Sequence, residues 1–255
     1  MGGVYRTLDV ETKPLISIII TLYNYEQFVA ECILSCIEQN YPNFEILVID
    51  DCSTDRSYEV AEKFHRHIRL FKSDKNRGYS HCKNIGIREA KGEYIVHLDA
   101  DDLLTPHSLE IRYEYFKKNP KIDMIHGRAF RWRWNKKEKE WQVDGYRKGA
   151  VIHAQTIMIR RSVYERFGLY YEKLRSKADK EMTYRLGVHR DSPLKKRIKA
   201  KKIKNFVAQY RKHKLQMHKL RKANAKVNDR INYIFNKRIK QLKKEGIAKG
   251  NTLWI

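Results

Sequence analysis

Four short apolar runs, each closed by a polar cluster, constrain what this chain can become. Residues 15–22 (LISIIITL), 44–49 (FEILVI), 68–71 and 94–98 are rich in β-branched and aromatic residues and too short for core helices. Between them lie stretches with helical spacing. The first, residues 26–39, places Phe28, Val29, Cys32, Ile33, Cys36 and Ile37 on one face, and residues 57–65 and about 80–90 follow the same rule. Strand and helix in alternation predict βαβ units and an α/β fold with a mostly parallel sheet flanked by helices. Ligands bind such sheets beyond the carboxyl ends of the strands. Tyr23-Asn24, Asp50-Asp51 and the run from Asp99 to Asp102 all fall there, so three polar clusters share one edge.

The last cluster carries the most chemistry. Asp99, Asp101 and Asp102 place three carboxylates within four residues at a strand end. Hard oxygen ligands crowded this way repel one another unless a cation neutralises them, and Mg²⁺ or Mn²⁺ suits them. Such an ion usually shares its remaining positions with water and substrate phosphates, which points to a diphosphate-bearing substrate. The plainer alternative is an acidic loop capping a helix that begins near Pro106.

Ser17-Ile18-Ile19-Ile20-Thr21-Leu22-Tyr23-Asn24 is followed by Val48-Ile49-Asp50-Asp51-Cys52-Ser53-Thr54-Asp55. Next come Asn76-Arg77-Gly78 with Asn84-Ile85-Gly86-Ile87, and then Gly92-Glu93-Tyr94-Ile95 running into Asp99-Ala100-Asp101-Asp102. In order and spacing these resemble the motifs of family-2 glycosyltransferases with the GT-A (Rossmann-like) fold. The resemblance is close over the first half and looser to about residue 215. It implies an inverting, metal-dependent hexosyl- or pentosyltransferase that uses a nucleotide-sugar donor, a uridine diphosphate sugar, with Mn²⁺ or Mg²⁺ as cofactor. Thr21, Tyr23 and Asp51 match positions that hold the nucleotide base, and Lys83 matches one near the base and phosphates. Asp101 and Asp102 match the acidic motif that meets the ribose and the metal, and Asp99 completes the D-x-D form on the donor side. Thr21 stands where the family more often has Pro, and Lys83 where it often has Arg.

The same resemblance supplies a general base, Asp179, in the stretch Leu174-Arg175-Ser176-Lys177-Ala178-Asp179-Lys180-Glu181. Ala178 replaces the usual Glu of an acidic pair. Glu181 is the fallback base, although its register also suits an ion pair with Arg185 one helical turn on. Residues 152–164 resemble the strand and helix that frame the acceptor side. Residues 206–213 read as a short strand ending in His213, which matches a late histidine that can meet the metal. Each assignment has a plainer counterpart. Tyr23 could pack at a strand end, Asp51 with Ser53 could cap a helix, Asp179 could be an ordinary acidic residue in a first turn, and His213 could be solvated.

Charge gives the second large clue. The 255-residue chain carries a net +24, but residues 1–128 hold 17 Lys and Arg against 20 Asp and Glu. From Arg190 onward there are 22 basic and 3 acidic residues. Residues 228–247 read as a basic amphipathic helix with Ile231, Ile234, Phe235, Ile239 and Leu242 on one face. This divides the chain into a GT-A domain over residues 1–215, with a nucleotide-sugar half (1–105) and an acceptor half (106–215), and a basic helical extension over 216–255. Self-repulsion on this scale costs stability, so a polyanionic partner is expected. Nucleic acid is favoured over an anionic membrane. The charge is spread over several segments, and Trp132, Trp134 and Trp141 interleave with Arg131, Arg133, Lys136 and Lys137 as a stacking surface would. Hydroxylated bases in DNA would be an acceptor of that kind, and a lipid-linked or cell-envelope glycan at a membrane surface is the alternative.

No window approaches a membrane span and no secretory signal is evident, so a cytoplasmic setting is expected. Cys32, Cys36, Cys52 and Cys82 show no paired spacing and are expected as free thiols. Two rival classes remain at this level. One is a non-catalytic nucleic-acid-binding protein built on a degenerate transferase domain. The other is a nucleotidyltransferase, which lacks its Gly-rich triphosphate loop here.

Overall fold

The first apolar run becomes the middle of a parallel array. In a computed structural model that describes residues 12–146, 152–174, 177–189, 192, 194, 197–216 and 225–245, β1 (Ile16–Leu22) is buried along its whole length. It lies between β2 (Phe44–Asp50) and β4 (Tyr94–Asp99), and β3 (Arg69–Lys72) flanks β2, all in parallel. Burial on both faces explains the continuous Ile and Val composition of β1, since an edge or half-solvated strand would alternate with polar residues.

The second half continues the same sheet with mixed polarity. β5 (Leu103–Leu104), β6 (Met124–Asn135), β7 (Glu140–Tyr146), β8 (Ile157–Arg160) and β9 (Ala200–Lys212) complete it. Among the described residues the order is β3-β2-β1-β4-β8-β6-β9-β5, with β7 paired to β6. β8 runs antiparallel to both β4 and β6, whereas β6 and β9 run parallel. The expected late strand over 206–213 is therefore the end of a strand of 13 residues.

Helices α1 (Val29–Ile37), α2 (Ser57–Glu62), α3 (Tyr79–Glu89), α4 (Ser108–Lys118), α5 (Ser162–Phe167), α6 (Ala178–Arg185) and α7 (Ala225–Glu245) pack around the sheet. The period-2 pleat of β1 splits its side chains between two cores. Ile16, Ile18 and Ile20 join Val29, Cys32 and Ile33 of α1 and Phe116 of α4. Ile19 joins Cys82 and Ile87 of α3 and Met182 of α6 on the other side. Each such aliphatic side chain contributes about 1.5–3 kcal/mol on full burial.

α1 starts three residues later than its apolar spacing suggests, and the cause is local. The Tyr25 N–H donates to Ser57 Oγ at 2.7 Å and the Glu26 N–H to Asp55 Oδ2 at 3.2 Å. Asn24, at φ 53°, donates its N–H to Ser53 Oγ. The turn after β1 is thus lashed to the turn after β2 before the helix begins. All four cysteines are free, Cys52 half-buried and the other three buried.

The basic helix expected over 228–247 forms as α7 as far as Glu245, with 246 and 247 outside the described residues, and part of its apolar face is covered. Phe235, Arg238 and Leu242 are buried. Lys177 and Lys180, which flank Asp179 on α6, place their ammonium groups 5.3 and 5.2 Å from the Phe235 ring centroid. Arg238 Nε reaches Glu181 Oε1 at 3.3 Å, and its guanidinium lies over Tyr171. Among the described residues no helix is long and apolar enough to cross a membrane.

α3 comes close to β1 at a glycine. A Cβ on Gly86 would lie 2.3 Å from Ile19 Cγ2 in the buried interior. Gly86→Ala is therefore expected to cost about 1–3 kcal/mol through overpacking, read as a lower urea midpoint. An unchanged midpoint would show that α3 can back away from the sheet.

Candidate active site

The carboxyl end of β4 brings three acids together. Asp99, Asp101 and Asp102 each offer an oxygen, and these atoms all lie within 4.8 Å of one another. Asp102 is buried and fixed from two sides: its Oδ1 accepts the Arg211 backbone N–H at 3.0 Å, and its Oδ2 accepts from Gln155 Nε2 at 2.8 Å. Asp101 Oδ2 lies 2.9 Å from His213 Nε2. β9 thus delivers His213 to the cluster, steered by the pairing of Leu103 with Gln209 between β5 and β9. Phe28 packs on the His213 ring with centroids 4.4 Å apart. Burial pushes the Asp99 carboxyl up to about 6, against the pull of Lys83 and with further upward pressure from Asp101 and Asp179. Thr21 Oγ1 sits 3.4 Å from Asp99 Oδ1, a long contact. Oxygen donors from three acids beside one imidazole suit Mn²⁺ or Mg²⁺, and orientation by an amide and a backbone N–H is how ligating carboxylates are commonly held.

The neighbouring strand ends form a second wall. Tyr23 and Asp51 follow β1 and β2 directly, and the Asp51 N–H donates to Leu22 O at 2.9 Å. Asp51 accepts the backbone N–H groups of Arg77 and Gly78 at 2.8 and 2.7 Å. Its carboxylate therefore fastens the loop before α3 rather than capping the turn into α2. That local turn belongs to Asp50, which accepts from Ser53. Tyr23 keeps 39% of its surface exposed at this edge.

Lys83 and Asp179 meet. The Lys83 ammonium is fully buried, lies 2.6 Å from Asp179 Oδ1, and sits over the rings of Tyr79 and Tyr170 at 4.3 and 4.8 Å. Tyr79 Oη donates to Asp179 Oδ2 at 3.3 Å, and burial drives the phenols of Tyr79 and Tyr170 well up, so both stay protonated donors. The Asp179 side chain remains 27% exposed. Lys177, at φ 59°, sets the start of α6 two residues earlier. Glu181, the fallback base, is fully buried between Arg185 at 3.1 Å and Arg238 at 3.3 Å, which leaves it no route to a substrate. Ala178, standing where the family has Glu, fills the second core.

The expected site residues therefore sit around one edge, in contacts that join Thr21 to Asp99, Asp101 to His213 and Lys83 to Asp179. Gln155, Tyr79, Tyr170 and Arg211 complete the arrangement and were not expected. No spacing announces them, because each reaches the site through tertiary packing. His97, inside the acidic motif, is a core residue. Its Nε2 lies 2.7 Å from Tyr164 Oη, and burial pushes its pKa well down.

Residues 17–184 match the family Glycosyl transferase family 2. The chain belongs to this family. An uncharacterized glycosyltransferase of Haemophilus influenzae is 39% identical over 117 residues, covering 45% of this chain and 46% of that protein. Chondroitin synthase of Escherichia coli is 33% identical over 115 residues, covering 44% and 17%. The chain thus spans less than half the length of these curated relatives. Among solved structures, the mannosyltransferase PcManGT of Pyrobaculum calidifontis, in complex with GDP-Man and Mn²⁺, superposes with a TM-score of 0.66 at 17% identity, over 94% of this chain and 72% of that one. S. aureus TarS with UDP-GlcNAc gives 0.62 at 20% identity, over 79% and 59%. The fold is GT-A.

The two buried acids differ in what they hold. Asp102→Ala strips the acceptor from the Arg211 N–H and from Gln155, and is expected to cost about 1–3 kcal/mol, seen as a lower melting temperature. Asp101→Asn keeps the side chain's shape and should melt near wild type in plain buffer, yet lose the stabilisation conferred by Mn²⁺ with UDP. Equal melting temperatures for the two variants in buffer would sink this division of labour.

Proposed function

We propose that this protein transfers a sugar from a uridine diphosphate sugar to a hydroxyl of an anionic polymer, with inversion at the anomeric carbon. The observation that carries the reading is the placement of Asp179, through Lys83, beside the acidic cluster of Asp99, Asp101 and Asp102. Tyr23 offers a ring face to the base, and Asp51 has lone pairs left to accept from it. Thr21 stands beside that slot with them, and Asp99, paired to it across the strands, faces the donor. Asp101, Asp102 and His213 would hold Mn²⁺ or Mg²⁺, which when bound neutralises charge on the departing diphosphate.

Asp179 takes the proton. As the acceptor oxygen forms its bond to the anomeric carbon, the bond from that carbon to the diphosphate oxygen breaks and the nucleoside diphosphate leaves with the electron pair. The acceptor hydroxyl's proton passes to Asp179 Oδ2, while the Lys83 ammonium and the Tyr79 hydroxyl keep the carboxylate aimed. Binding of UDP-GlcNAc by the TarS neighbour supports a uridine donor, whereas PcManGT binds GDP-Man and Mn²⁺.

Two observations favour an acidic glycan over nucleic acid as the acceptor. Arg131 and Arg133, expected to flank a stacking surface, both pair with Asp144 at 3.2 and 3.3 Å. Trp141 packs edge-on against Phe28, which leaves Trp134 as the exposed indole of the three. Both arginines that would flank a stacking surface are thus tied to one carboxylate of the hairpin itself. A relative named for chondroitin, an acidic polysaccharide, points the same way.

Asp179→Asn is expected to lower transfer by about 10²–10⁴-fold while UDP affinity stays within a few-fold. Parallel loss of rate and affinity would make Asp179 structural. Release of UDP from UDP-sugars should cease in excess chelator, and activity that survives chelation would overturn the metal assignment.

A further inference from the structure

The two faces of α7 have different fates. Phe235, Arg238 and Leu242 are buried on the inner side, against α6 and Tyr171. Tyr233, Asn236, Lys237, Lys240, Gln241 and Lys244 are all exposed, Tyr233 by 66%. Their spacing of three and four residues puts them in one stripe along the helix. From residue 230 to 244 the sequence contains no Asp or Glu, and among the described residues no carboxylate pairs with Lys237, Lys240 or Lys244. Three bare ammonium groups on a rigid helix are an unneutralised, one-sign surface.

The stripe is also held in fixed relation to the base. Lys177, Lys180 and Glu181, on either side of Asp179, are the α6 residues that grip Phe235 and Arg238. Packed helices have axes about 8–10 Å apart, so the outer face of α7 lies roughly one helix diameter behind the helix that carries the base. A chain resting there would be the body of an acceptor and not its reacting end. Lys237 to Lys244 spans about 10 Å at 1.5 Å per residue, far sparser than the one charge per ~1.7 Å of duplex DNA. The apolar side that a lipid interface would need is already spent on α6.

We propose that the outward stripe of α7 docks the body of an anionic polysaccharide acceptor and holds it in register with the base helix. This rests on the glycosyltransferase reading above and adds to it a remote subsite, so acceptor length matters. Lysine ammonium groups pair with carboxylates along the polymer, and Tyr233 gives a sugar ring a face to stack on.

The test uses the full chain and the variant carrying Lys237→Gln, Lys240→Gln and Lys244→Gln. Fluorescent chondroitin chains, a chondroitin disaccharide, a neutral polysaccharide of matched length and duplex DNA serve as probes, each titrated across a salt series. Long chondroitin should bind the wild type and lose about tenfold in affinity in the triple variant at low salt, the sum of three exposed ion pairs. That difference should close as salt rises. The disaccharide should not distinguish the two proteins, and UDP should bind both alike. Equal binding of long chondroitin by variant and wild type overturns the proposal. So does wild-type affinity for the neutral chain equal to that for chondroitin, or an effect confined to DNA. Failure of the activity reading would show separately, as no UDP released from UDP-sugars by the wild type.

Discussion

One buried carboxylate, Asp102, joins three stretches of chain that are distant in sequence. It accepts from the backbone of β9 at Arg211 and from Gln155 ahead of β8, while its own position follows β4. That acceptor adds a tie between the end of β9 and the acidic cluster to the strand pairing that already sets the height of β9. Arg211 is sealed in as a result. Its guanidinium lies 5.3 Å from the Phe28 ring and 5.7 Å from Trp141, and it pairs with Glu31. The hairpin, α1 and the acidic cluster are therefore mechanically one unit, as expected where polar groups in a dry site orient one another.

Among the described residues, carboxylates outnumber ammonium groups at the site. Asp99, Asp101, Asp102 and Asp179 crowd a region whose described buried ammonium is Lys83. Burying such a cation carries a desolvation cost that a single ion pair does not always offset. Here the rings of Tyr79 and Tyr170 add cation–π attraction, worth more in desolvated settings. The same lysine lowers the Asp99 carboxyl that burial raises. Lys83 thus acts on Asp99 and on Asp179 together, and a change there would not be confined to either.

The parallel half was legible because its signal is dense. In β1, β2 and β4 most residues are apolar, and each run gives way at its carboxyl end to a polar cluster. Asp51, Tyr23 and the Asp99 cluster could be placed at one edge from that alone. The second half was harder, for a physical reason. β6 and β9 carry Lys or Arg at many positions, since parts of each face solvent, so Arg128 to Arg133 read as charge, and of β9 the end over 206–213 read as strand while Lys201 to Asn205 did not. The Lys83–Asp179 contact links residues 96 apart, and no periodicity reports such a pair. Glu181 was ambiguous in sequence because its pairing with Arg185 is local, whereas Arg238, which closes it off, is not. The apolar stripe of α7 was visible, but what covers it was not.

The arrangement of α6 and α7 has a consequence for how the molecule comes into being. α6 ends at Arg185 and α7 begins at Ala225, so a nascent chain exposes the helix carrying Asp179 well before its partner exists. During that interval Glu181 has one guanidinium instead of two, and the surface that will meet Phe235 is bare. Chains fold as they emerge, N-terminal parts first. The helix bearing Asp179 is therefore completed last, and the sheet edge that gathers Thr21, Asp51 and the Asp99 cluster precedes it.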